Sequence, residues 1–138
     1  MRTLFIAAIF AVAFGLAGES MAHDRLRAGW HRDQTVTVRV GQEKLAPRSK
    51  IRIKFLEMIE DSRCPRDVNC IQAGNARIRV RVSGSGRARE LILDTSDRTR
   101  PASYGGYELT VRTLTPEPRS NIRINRNGYI ATISVSRV

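Results

Sequence analysis

Histidine is almost absent from this chain: of 138 residues only His23 and His31, and both precede the first strongly patterned segment. A Ser-His-Asp or Cys-His arrangement needs an imidazole within hydrogen-bond reach of its nucleophile, so we expect no catalysis of that kind. Carboxylates exist, but no spacing among Glu57, Glu60, Asp61, Asp67, Glu90, Asp94 and Asp97 singles out an acid–base pair. We therefore expect a non-enzymatic protein that needs no cofactor. Aromatic residues are 6% of the chain. None is interleaved with the arginines of residues 76–82, the pattern that stacks bases of single strands, so nucleic acid is not an expected partner. Repeats, low-complexity tracts and a helical period after residue 22 are all lacking.

Long apolar runs are equally scarce. The only one is Leu4–Gly18, of about 15 residues, short of the ~20 that span a bilayer. With Arg2 before it and Ser20-Met21-Ala22 after it, residues 1–22 read as a signal peptide removed on secretion. No cysteine follows the run, so a lipid anchor is not expected. The reading is an exported, monomeric protein, periplasmic or extracellular, with no transmembrane segment after cleavage. Residues 34–138 form a single β domain and residues 23–33 an extended lead-in, whose Trp30 is free to dock on that domain.

Cys64 and Cys70 are the only cysteines. In an oxidising compartment a disulfide is the default. Redox chemistry would normally show C-x-x-C at a helix start, whereas five residues with a proline intervene here. We expect a structural bridge, closing a loop over residues 61–76 that joins and braces the sheets.

What is abundant is alternation. Val36, Val38 and Val40 face one way from Gln34–Val40, and Ile51, Ile53 and Phe55 do so from Lys50–Ile59. That second pattern slips at Leu56-Glu57-Met58, where a β-bulge is expected. Ala76, Ile78, Val80 and Val82 alternate with Arg77, Arg79 and Arg81. Ser83-Gly84-Ser85-Gly86 turns into Arg87–Asp94, with Leu91 and Leu93 inward. A connection over residues 41–49 and a loop over Thr95–Gly106 separate strands, and Tyr107–Leu114 follows. Asn127-Gly128 reads as a hairpin turn between Ile122–Arg126 and Tyr129–Val135. About seven strands predict an all-β fold, an antiparallel sandwich or a partly open barrel.

The segment Asp61-Ser62-Arg63-Cys64-Pro65, then Val68, Cys70, Ala73-Gly74 and Ala76, has a second piece in Tyr104-Gly105-Gly106-Tyr107 with Leu109, Leu114, Pro116 and Pro118. In both, the chain resembles a family of small exported bacterial proteins, many of them lipoproteins. The resemblance implies an all-β domain with a bridged loop and implies no activity. Gln72 stands where that family often carries tryptophan, so any contact the tryptophan makes is lost or moved here.

Three binding chemistries remain. The formal net charge is +11, carried almost entirely by arginine, and such a surface attracts polyanions. Arg77, Arg79 and Arg81, extended by Arg87 and Arg89 of the next strand, form the candidate anion site. Guanidinium forks suit phosphate and carboxylate, so an anionic glycolipid, a polysaccharide or an envelope protein is the expected partner; a merely solvated sheet face is the bland alternative. The disulfide loop could instead display Arg63, Pro65, Arg66 and Asp67 as an inhibitor does. Metal chemistry has two pointers. A processed amino terminus at His23, with His31, offers nitrogens for copper. Asp61, Asp67 and Asn69 offer oxygens for calcium, although Arg63 and Arg66 lie among them and turn-type hydrogen bonds of Asp61 and Ser62 are the simpler expectation.

Overall fold

A strand turns every second side chain to the same face, and the alternating valines, isoleucines and arginines therefore decide which side is buried. The computed structural model describes residues 33–97 and 99–138. The expected signal peptide and all of the lead-in but Asp33 lie outside them. Eight strands form: β1 (Gln34–Arg39), β2 (Glu43–Leu45), β3 (Arg52–Asp61), β4 (Ala76–Ser83), β5 (Arg89–Asp94), β6 (Ala102–Tyr104), β7 (Tyr107–Thr115) and β8 (Ile130–Arg137). They build two antiparallel four-stranded sheets, ordered β1-β8-β7-β6 and β2-β3-β4-β5. The result is a β-sandwich and not a closed barrel.

Between the sheets lie Val36 and Val38 of β1, Ile53 and Phe55 of β3, and Ile78, Val80 and Val82 of β4. Leu109 and Val111 of β7 and Ile133 and Val135 of β8 complete the centre. Burying each such side chain is worth about 1.5–3 kcal/mol. The chain passes from one sheet to the other at Gly41, whose φ of 81° is open to glycine without strain. Its amide donates to Phe55 O at 2.7 Å, which closes that corner.

The expected bulge falls between Phe55 and Glu57, and a second lies between Met58 and Glu60. Two three-residue strands lie where connections are expected: β2 pairs with β3, and β6 reaches β7 through a two-residue turn at Gly105-Gly106. Both strands are too short to show a period.

The expected Asn127-Gly128 hairpin is corrected. Arg126–Gly128 is a single 3₁₀ turn capped by Asn125, whose side chain accepts from the Asn127 amide. Ile122–Arg126 is not a strand; only an Arg119–Ile122 bridge forms there. The reason is topological. β8 has β1 on one edge and β7 on the other, which leaves no edge for a hairpin partner.

Candidate functional site

The Cys64–Cys70 bridge forms, with Cα atoms 6.0 Å apart. Its loop links β3 to β4, neighbours in one sheet, so it does not join the two sheets along the chain. It braces them instead. At the stem, the Ser62 amide donates to Asn75 O at 2.7 Å. Gly74 lies so close that a Cβ there would sit 1.5 Å from Ser62 O; only glycine lets the two stem strands approach this far.

Above the stem, Arg63 turns inward. Its Nε and Nη2 meet Asp61 Oδ1 and Oδ2 at 2.7 and 2.8 Å. Its Nη1 donates to Leu114 O at 2.6 Å and its Nη2 also to Pro116 O at 2.9 Å. The Tyr129 hydroxyl, just ahead of β8, donates to Asp61 Oδ2 at 2.9 Å. A carboxylate and a guanidinium of the disulfide sheet thus hold the end of β7 and the start of β8 in the other sheet. Burial alone would raise the Asp61 pKa. The hydrogen bonds from Arg63 and Tyr129 and the guanidinium charge outweigh it and hold the carboxyl below its usual range. Burial and the Asp61 charge push Tyr129 up to about 12.

This geometry divides the residues expected on display. Arg63 is nearly buried and Pro65 half-buried. Arg66 pairs with Glu117 at 2.8 Å, and its amide donates to Pro118 O at 3.0 Å. Asp67 accepts from the Ser120 amide at 2.9 Å and from its hydroxyl, which lowers its pKa. Arg66 and Asp67 nonetheless remain exposed, and Val68, Asn69, Ile71 and Gln72 are turned to solvent beside them.

The same bonds engage the Asp61 and Asp67 carboxylates considered for calcium. Asp61 Oδ1 also accepts from the Arg63 amide at 3.3 Å, the turn-type bond expected of it, and no group of three or more metal-ligating side chains occurs among the described residues. Both histidines considered for copper lie outside those residues. Beside the loop an open concavity of about 340 Å³ is lined by Arg63, Arg112, Thr113, Leu114 and Glu117, among others. Its two arginines already face Asp61 and Asp33.

The arginine ladder stands where alternation puts it, on the outer face of β4, half exposed. Each member is nonetheless paired: Arg77 with Glu60 at 4.0 Å, Arg79 with Glu57 at 3.1 Å, Arg81 with Glu90 at 3.8 Å. Arg89 does not extend it, and Arg87 precedes β5 and pairs with no residue of the ladder. Arg89 lies opposite core-facing Val82, while Glu90, Ile92 and Asp94 oppose the ladder. Two residues paired across antiparallel strands share a face, and the parity that turns Leu91 and Leu93 inward turns Arg89 with them. Across this outer face, five cations (Arg52, Lys54, Arg77, Arg79, Arg81) meet five carboxylates (Glu43, Glu57, Glu60, Glu90, Asp94). The face is a balanced mosaic and not a basic patch.

One run of cations without ion pairs lies on the β7–β8 connection. Arg119, Arg123 and Arg126 fall within eight residues that hold no carboxylate. All three are exposed and none makes an ion pair among the described residues. The connection is held in place by Ser120 on Asp67, by Asn125 at its 3₁₀ turn and by Ile124, which packs on the core. A comparable run lies at Lys44, Arg48 and Lys50, three exposed cations within seven residues that hold no carboxylate, while Arg87 and Arg137 sit on a separate turn and a strand end. Sequence reasoning passed over the cluster because it read residues 122–126 as a strand. The available signal was arginine every third or fourth residue with no acid between. No protein-family model, no curated protein and no solved structure matches this chain.

Proposed function

We propose that this chain is an exported, non-enzymatic binding domain whose ligand is an anionic component of the cell envelope. The proposed binding surface is the β7–β8 connection rather than the β4 ladder. The observation that carries this reading is the distribution of charge: zero net on the outer face of the disulfide sheet, three unpaired arginines on one short connection. A ligand phosphate or carboxylate gains little from guanidinium groups that already face carboxylates. Arg119, Arg123 and Arg126 are exposed and in no ion pair among the described residues, although Arg119 lies in the field of Asp67, and they can give it paired hydrogen bonds.

The clasp supports the same reading. Through Asp67 and Ser120 the disulfide loop holds the basic connection in one place, which reduces the ordering entropy that binding would otherwise cost. Retention on immobilised heparin, used as a soluble polyanion, tests the proposal. The variant Arg119→Ser/Arg123→Ser/Arg126→Ser is expected to elute at clearly lower salt than the parent. Arg77→Ser/Arg79→Ser/Arg81→Ser is expected to move much less. Failure of the parent protein to bind at low ionic strength, or equal losses in both variants, refutes it.

A further inference from the structure

The disulfide loop and the β7–β8 connection are one surface. Arg66 to Pro118, Arg66 to Glu117 and Asp67 to Ser120 tie them together within a few residues. Among the described residues six large apolar side chains are exposed, and three of them flank these ties: Val68 at 44%, Ile71 at 103% and Ile122 at 56%. Val68 follows Asp67 directly, Ile122 lies two residues beyond Ser120, and Ile71 follows Cys70 at the rim of the closed ring. Isolated exposed aliphatics are ordinary on any surface. Three of them on two joined loops, interleaved with Arg119, Arg123 and Arg126, form a combination with a chemical meaning.

We infer that this end of the sandwich docks on an anionic lipid bilayer, with Ile71, Val68 and Ile122 entering the acyl boundary while the arginines meet headgroup phosphates. The inference rests on the anion-binding reading above and names its partner. A soluble polyanion would leave Ile71 in water and gain nothing from it. A bilayer places negative charge directly over an apolar layer, and a basic surface with protruding aliphatics complements both. Rigidity favours the same partner. The ring closed by Cys64–Cys70 contains Val68, its stem is clasped by Arg63, and Ser120 on Asp67 ties the segment bearing Ile122 to it, so these tips need little ordering on contact.

Sedimentation with vesicles of phosphatidylcholine and phosphatidylglycerol, at ~0.15 M salt, tests it beside heparin retention of the same proteins. The variant Ile71→Ser/Ile122→Ser removes no core side chain. It is expected to weaken vesicle binding about tenfold or more, by lost apolar burial, with heparin retention unchanged. As a second measurement, Gln72→Trp in a Trp30→Phe background puts the sole indole beside Ile71, and its emission is expected to shift to shorter wavelength when vesicles are added. Heparin retention with vesicle binding indifferent to the serines overturns the inference and leaves a soluble polyanion, or a protein with an acidic surface, as the ligand. An unshifted indole in the vesicle-bound state overturns it as well. Loss of both heparin and vesicle binding in the parent protein refutes the anion-binding reading itself, and this inference with it.

Discussion

Replacing Arg63 tests the clasp most directly. Its guanidinium makes two bonds to Asp61 and one each to Leu114 O and Pro116 O. The side chains of the pair are only 15% and 10% exposed, so water does little to screen the interaction. In Arg63→Met the Asp61 carboxylate stays largely buried with Tyr129 as its remaining side-chain donor. Breaking a buried pair from one side costs about 3–5 kcal/mol. We expect about 4 kcal/mol, a large part of the 5–15 kcal/mol typical of a domain. Asp61→Asn is expected to cost less, about 1–2 kcal/mol, because Arg63 keeps its two carbonyl acceptors. The double variant Asp61→Leu/Arg63→Met should recover part of the loss, since no uncompensated charge remains. Urea unfolding at neutral pH reads all three as shifts of midpoint at unchanged slope. A cost below 1 kcal/mol for Arg63→Met, or one smaller than that of Asp61→Asn, would show that these bonds do not hold the loop to the second sheet.

Two further outcomes follow from the same network. The Tyr129 pKa is raised to about 12 from an unfolded value near 10. Its contribution is therefore complete below pH ~10 and disappears as pH climbs through about 12. The stability difference between the parent protein and Tyr129→Phe should shrink across that window; a constant difference contradicts the assigned bond. Asp61, lowered on folding, works in the opposite sense. Its contribution is present above the unfolded value near 4 and is lost as pH falls through the folded one. At the stem, Gly74→Ala would drive a Cβ into Ser62 O and force the strands apart. A loss of about 3 kcal/mol and faster proteolysis of the loop are expected, and a neutral effect would mean that the stem yields freely.

What was legible in the sequence is what a strand decides alone. The parity of Ala76–Val82 named every buried residue of β4, and the slip at Leu56–Met58 marked the bulge. What was not legible depends on which strand lies beside which. The Asn127-Gly128 pair carries a strong local turn signal, yet β8 already has neighbours on both edges, and the pair ends in a 3₁₀ turn. Arg63 looked like a displayed charge among other charges. Only the approach of Leu114, Pro116 and Tyr129, some fifty or more residues away, turns it inward. The arginine ladder shows the same dependence in electrostatic form. Its spacing was correct, but its charge was set by β3 and β5, whose registers bring Glu57, Glu60 and Glu90 against it. In a β protein a run of arginines along one strand is therefore no evidence of a basic face until its neighbours are known. A connection is a different case. The neighbour of the β7–β8 connection, the disulfide loop, brings Asp67 to Ser120 and into the field of Arg119. No ion pair forms with Arg119, Arg123 or Arg126 among the described residues, and so most of that charge reaches the surface as the sequence wrote it.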